Sequence, residues 1–166
     1  MASYEEALDN ITLKASEIIA RKDTQNIVID LYNVISEKCE NGDLLNELNG
    51  IERVFYLCQT FEMEMTNGGI NEFYYRTSSN YANETVEALL EIGAKHTALI
   101  LDKGNAVFKE GIVPEDQEVR IDAIQHLDYS EISWLFDELD RQFDEHEDQL
   151  DKLNLEYVLA NKEAFM

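Results

Sequence analysis

The sequence predicts an all-α fold, a single-domain compact bundle of roughly seven to nine helices, and three observations carry that prediction. Pro114 is the one proline in 166 residues, whereas sandwiches, barrels and long loops use proline and glycine freely in their turns. Apolar residues recur at three- and four-residue spacing along most of the chain. Hydrophobic residues make up 45% and charged residues 29%, close to the globular norm, so a core can form without disulfides or a metal.

The elements follow in order. Ser3 followed by Glu6 reads as a capping box, after which Ala7, Leu8, Ile11, Ala15, Ile18 and Ile19 keep helical spacing to about Arg21. From Asn26 to Cys39, Ile27, Val28, Leu31, Val34 and Ile35 share one side; a helix is preferred, although the β-branched content leaves a strand open. Asn41-Gly42-Asp43 and Asn49-Gly50 bracket a short helical turn. Ile51, Val54, Phe55, Cys58, Phe61 and Met65 then mark an amphipathic helix expected to stop at Asn67-Gly68-Gly69.

An aromatic segment, Phe73-Tyr74-Tyr75, and a polar turn at Thr77–Asn80 come next. Helices are expected from about Tyr81 to Ile92, closing at Gly93, and from about Ala94 to Phe108, with Gly104 a weak point inside the second. Beyond Pro114, the acids Glu115, Asp116 and Glu118 suit a first helical turn, with the helix running to about Leu127. Ser130 to about Leu153 reads as the longest helix, and Leu155–Phe165 closes the chain. No repeat, linker or low-complexity tract suggests a domain boundary.

The anomaly is the sign of the charge. Asp and Glu number 35 against 13 Lys and Arg, a net of -22 with a pI near 4.2. Such a surface repels DNA, RNA and anionic membranes, and it attracts basic proteins or divalent cations. Direct nucleic-acid binding is therefore not expected. The first ten residues carry no basic run ahead of an apolar core, and no stretch approaches the ~18–20 apolar residues of a membrane span; a cytoplasmic protein is expected. Cys39 and Cys58 lack CxxC spacing and read as two reduced, partly buried thiols.

The acids are also unevenly placed. Glu115 to Asp151 holds 14 acids against two bases, Arg120 and Arg141. On the expected long helix, Ile132, Leu135, Phe136, Leu139, Phe143, Leu150 and Leu153 form an apolar stripe. Asp137, Asp140, Asp144, Asp148 and Asp151 recur every three or four residues elsewhere on the cylinder, and Glu138, Glu145 and Glu147 broaden that side. With Glu115, Asp116, Glu118 and Asp122 before it, this set is the candidate partner-binding surface. A duplex carries one negative charge per ~1.7 Å of axis, and one carboxylate per helical turn gives one per ~5.4 Å, so several helices would have to contribute. The plainer alternative is a merely solvated acidic face.

Catalytic and metal chemistry find no pattern. His96, His126 and His146 show no HExxH, Asp122 with His126 supplies only two ligands, and Asp137–Asp148 lacks the glycine of a calcium loop. A P-loop and a Gly-x-Ser-x-Gly elbow are absent, and Gly68-Gly69 follows a helix rather than a strand. Neither an enzyme nor a cofactor or metal is expected; a site built on Glu62, Glu64 and Glu72 is the remaining enzyme or metal alternative.

The run Asn67-Gly68-Gly69-Ile70-Asn71-Glu72-Phe73-Tyr74-Tyr75, preceded by Phe61-Glu62-Met63-Glu64-Met65, resembles the bacterial DNA-mimic protein family of about nineteen kilodaltons, whose hallmark is Asn-Gly-Gly followed by an aromatic segment. The likeness continues through Ala88–Ala94 and Phe108 and more loosely through Leu139–Phe143, covering roughly residues 50–166. It implies an all-helical fold, no known enzymatic activity and, for the founding member, an acidic surface that blocks a helix-turn-helix transcription factor. Asn67, Gly68 and Gly69 read as a fold element that turns the chain so that Phe73 and Tyr74 re-enter the core. The expected function is thus a DNA mimic, monomer or homodimer, that occupies a basic DNA-binding protein. The alternative partner is a basic toxin or restriction enzyme, neutralised as by an immunity protein.

Overall fold

The structure, a computed structural model, describes residues 3–166 apart from the side chain of Leu8, whose expected inward position lies outside the described residues. Among the described residues there are eight α-helices and no strand. They are α1 (Tyr4–Ile19), α2 (Ile27–Lys38), α3 (Gly50–Tyr75), α4 (Ala82–Glu91), α5 (Lys95–Asn105), α6 (Gln117–Gln125), α7 (Tyr129–Asp144) and α8 (Leu150–Ala160). Short 3-10 turns fill several of the connections, among them Leu45–Glu47 and Thr77–Tyr81. The chain forms two compact units: residues 1–56 with 151–166, and residues 57–150.

In the first unit, α1 starts on the capping box its sequence announces. Ser3 Oγ accepts from the Glu6 N–H at 3.2 Å, and Glu6 Oε2 accepts from the Ser3 N–H at 2.8 Å. Segment 27–38 is a helix rather than a strand, because Ile27, Leu31, Val34 and Ile35 all reach the interior from one helical face. A second capping box opens α3: Asn49 Oδ1 accepts from the N–H groups of Ile51 and Glu52, and Glu52 Oε2 accepts from the Asn49 N–H. The buried Glu52 carboxylate also takes two 2.8 Å bonds from Lys38 Nζ, so its charge is both paired and hydrogen-bonded. Phe55 meets Phe165 edge-on, and Tyr32 stacks on Tyr56.

The second unit is built around aromatic rings. Phe61 packs edge-on against Phe73 and Phe143, and Tyr74 packs against Phe108 and Phe136. Tyr74 Oη donates to Asn105 Oδ1 at 2.7 Å, and burial pushes this phenol well above its ordinary range. Gly104 in α5, expected to be a weak point, instead leaves room for two side chains of α3. A Cβ there would lie 2.6 Å from Tyr74 Oη and collide with Ile70 Cδ1. Gly104→Ala is expected to destabilise by about 1–3 kcal/mol, as overpacking does in a filled core, although alanine is the better helix former; a raised urea midpoint would contradict this.

Two expected boundaries move. The helix expected to stop at Asn67-Gly68-Gly69 is interrupted only at Gly69 (φ +75°, ψ -179°), and α3 resumes at once to Tyr75. Phe73 and Tyr74, on the resumed part of the helix, are buried. The long helix expected over Ser130–Leu153 ends as α7 at Asp144. Residues 145–149, where His146 takes a left-handed φ of +49°, break it, and α8 joins its last residues to the first part of the closing helix expected over Leu155–Phe165. Asp137, Asp140, Asp144, Asp148 and Asp151 therefore do not share one cylinder. Cys39 and Cys58 are buried free thiols, and burial raises both above the ordinary range. No helix among the described residues is long and apolar enough to cross a membrane.

Candidate interaction surface

The candidate carboxylates from Glu115 to Asp148 lie in the second unit, and Asp151 lies in the first. None of them is buried, but the structure sorts them by what their oxygens already hold.

Several serve the fold. Asp116 is the N-cap of α6, its carboxylate accepting from the Val119 N–H at 3.0 Å. Asp128, not among the expected residues, caps α7 through the Ser130 N–H and hydroxyl, which hold its carboxyl below the usual range. Asp140 Oδ1 accepts from the Ile70 N–H at 2.8 Å, immediately after the interruption at Gly69. Burial pushes this carboxyl up, the Ile70 bond opposes the rise, and the neighbouring Asp137 and Asp144 charges add to it. Asp148 Oδ2 accepts from the Thr97 N–H at 2.6 Å. It thereby supplies the cap of α5, whose own N-cap residue, Ala94, has no side chain able to do so.

Others already have a partner nearby. Arg141 Nε and Nη2 donate to Glu138 at 2.9 and 2.7 Å, and its Nη1 pairs with Glu145. The Arg141 bonds, helped by Gln142, hold the Glu138 carboxyl down to about 2. Glu147 lies 3.2 Å from His96 Nδ1, and Asp122 lies 3.6 Å from His126 Nδ1. Left open among the described residues are Glu115, Glu118, Asp137, Asp144 and Asp151, together with Glu131; all six are exposed and carry no hydrogen bond or ion pair on their carboxylates.

Arg120, one of the two bases of the acidic segment, does not reach its surface. Its guanidinium is wholly buried and donates to the carbonyls of Tyr74 (2.8 Å), Arg76 (2.8 Å), Pro114 (2.7 Å) and Glu115 (3.2 Å) and to Asn80 Oδ1 (2.9 Å). Gln117 Nε2 adds a 2.8 Å bond to the Tyr75 carbonyl. Of these, the Tyr74, Tyr75 and Arg76 carbonyls lie at the end of α3, where the helix leaves carbonyls without intrahelical partners at the negative pole of its dipole. Desolvation lowers the guanidinium's proton affinity, and the Asp116 charge works against that.

The solvent-facing stripe of α7 reads Ser130, Trp134, Asp137, Arg141, Asp144, at alternating spacings of four and three. Trp134 is 73% exposed and Tyr129, at the start of the helix, 78%. The sequence held this signal: Trp134 falls outside the apolar stripe of Ile132, Leu135, Phe136, Leu139 and Phe143. Of Glu62, Glu64 and Glu72, Glu64 binds Ser78 and Arg76, and Glu72 is exposed beside Gly68. No group of three or more metal-ligating side chains occurs among the described residues.

Compared with known proteins, residues 46–161 match the family model described as DMP19-like protein. No curated protein and no solved structure matches the chain.

Proposed function

The chain belongs to the DMP19-like protein family, a DNA-mimic family, and on that premise we propose that it binds a basic DNA-binding protein through the open carboxylates of α6 and α7 and blocks that protein's access to DNA. One observation carries the reading. Between Glu115 and Asp151 fourteen acids face two bases, and of the two bases one is buried under the surface while the other is engaged by Glu138 and Glu145. A helix of ordinary purpose interleaves lysine and arginine with its acids. Carboxylates left unpaired at helical spacing repel one another by a few tenths of a kcal/mol per pair. They offer cationic side chains the charge-assisted bonds that phosphates otherwise provide.

Partner capture at low salt, followed by competition against the partner's own DNA, tests the proposal. The expected result is a DNA-binding protein that is released as salt rises and that loses its DNA when this chain is added. Recovery of a nuclease or toxin would redirect the reading to an immunity protein, and a captured protein that kept its DNA would end it.

The open carboxylates also separate binding from folding. The triple change Glu118→Gln, Asp137→Asn and Asp144→Asn is expected to leave the unfolding free energy within about 1 kcal/mol of the parent, since relief of like-charge repulsion at Asp137 and Asp144 offsets the loss of Glu118 from the positive end of α6. Partner affinity should fall at least tenfold, an estimate of roughly 0.5 kcal/mol for each lost exposed ion pair. Asp140 and Asp148 are left intact because their oxygens hold backbone N–H groups.

A further inference from the structure

The acids of α7 are not equally available, and the helix places an aromatic ring where they are most so. Trp134 has Glu131 three residues before it and Asp137 three residues after it, and both carboxylates are exposed and unpaired among the described residues. Glu138, four residues after it, is already held by Arg141. Side chains three or four apart on a helix stand about 5–6 Å from one another, so an indole face here has a free carboxylate within reach on each side.

We propose that Trp134 is the anchor of the acidic surface and that its occupant is an arginine of the basic partner, with the guanidinium stacked on the indole and its edges directed to Glu131 and Asp137. The inference deepens the proposed function and rests on it. Charge complementarity selects a cation, and the ring selects among cations. A guanidinium is planar, weakly hydrated and able to stack while still donating in its own plane, whereas an ammonium is a compact, strongly hydrated charge that favours carboxylates alone. Tryptophan and arginine are also the residues that most often concentrate binding energy at the centre of an interface, within a polar surround. The carboxylates alone would draw in any basic surface; the ring adds a preference for arginine.

Trp134 is the one tryptophan of the chain, so intrinsic emission reports on it alone. The test titrates the full chain with oligoarginine and with oligolysine of equal length at low salt. Oligoarginine is expected to shift or quench the emission and to bind about three- to tenfold tighter than oligolysine, the range that one cation–π contact supplies. Trp134→Leu should bring the two peptides to equal affinity, read by calorimetry, while Trp134→Phe keeps part of the preference. Because the side chain is exposed, these variants should fold like the parent, which circular dichroism checks. Equal binding of the two peptides to the parent chain, or a preference that survives in Trp134→Leu, would overturn the inference and leave the carboxylate surface standing. Emission that shifts with protein concentration before any peptide is added would overturn it differently, by showing the ring covered by a second copy. Binding of neither peptide would remove the carboxylate reading itself, and this inference with it.

Discussion

Arg120→Met is expected to destabilise the protein by about 3–5 kcal/mol, because several buried neutral acceptors lose their donor in one change. Methionine keeps much of the volume and the apolar stem but donates nothing. The Tyr74 and Pro114 carbonyls and the Asn80 side chain then lose the donor they share, while the Arg76 carbonyl keeps the Ser79 N–H and hydroxyl. A buried acceptor left unsatisfied costs about 1–3 kcal/mol, and part of that is recovered if water reaches the vacated site. Urea unfolding followed by circular dichroism measures the loss. A cost under about 1 kcal/mol would mean that the end of α3 is held by its ring contacts rather than by the guanidinium. Lysine at this position should be nearly as damaging, because one ammonium cannot span acceptors set around a planar fork.

Gly69→Ala is expected to cost about 2–4 kcal/mol, from two separable causes. Its φ of +75° with an extended ψ is a region that is nearly glycine-only, worth about 1–3 kcal/mol of strain to another residue. A Cβ would also stand 2.8 Å from Asp140 Cγ and collide with its Oδ2, displacing the carboxylate that receives the Ile70 N–H. The double variant Gly69→Ala with Asp140→Ala should therefore cost less than the sum of the two single changes, because the collision is counted in only one of them. Strict additivity in the unfolding free energies would show that the glycine is needed for its backbone angle alone.

The helical class and the order of the elements were legible in the sequence, and the reasons are local. Ser3 with Glu6 states where α1 starts, the spacing of Ile27, Leu31, Val34 and Ile35 favours α2 over a strand, and the scarcity of proline argues for helices generally. What could not be read were features fixed by contacts distant in sequence. Nothing in Glu145–Gln149 breaks a helix by composition, since it has neither glycine nor proline. The break coincides with Glu147 meeting His96 and Asp148 capping α5, contacts that an uninterrupted helix would not be free to adjust. Arg120 reads as a surface charge until the end of α3 is brought against it.

The candidate surface was legible only as a region. Counting acids locates the segment, but a count cannot separate Asp140, whose oxygen closes the Gly69 interruption, from Asp137 and Asp144, which carry no hydrogen bond. The expected row of five aspartates gave way to alternating duties, some acids holding backbone and others facing solvent. Trp134 was in plain sight on the wheel of α7, yet attention to charge passes over an uncharged ring.

The end of α3 also sets an order of events. Ile70 receives its partner from Asp140, 70 residues downstream, and Tyr74 from Arg120, 46 residues downstream. Contacts of such separation must close large loops before they return any stabilisation, and they form late. On a ribosome, therefore, the stretch from Gly69 to Tyr75 leaves the tunnel long before the residues that complete it. Its aromatic rings must wait, unsealed, until α6 and α7 have been synthesised.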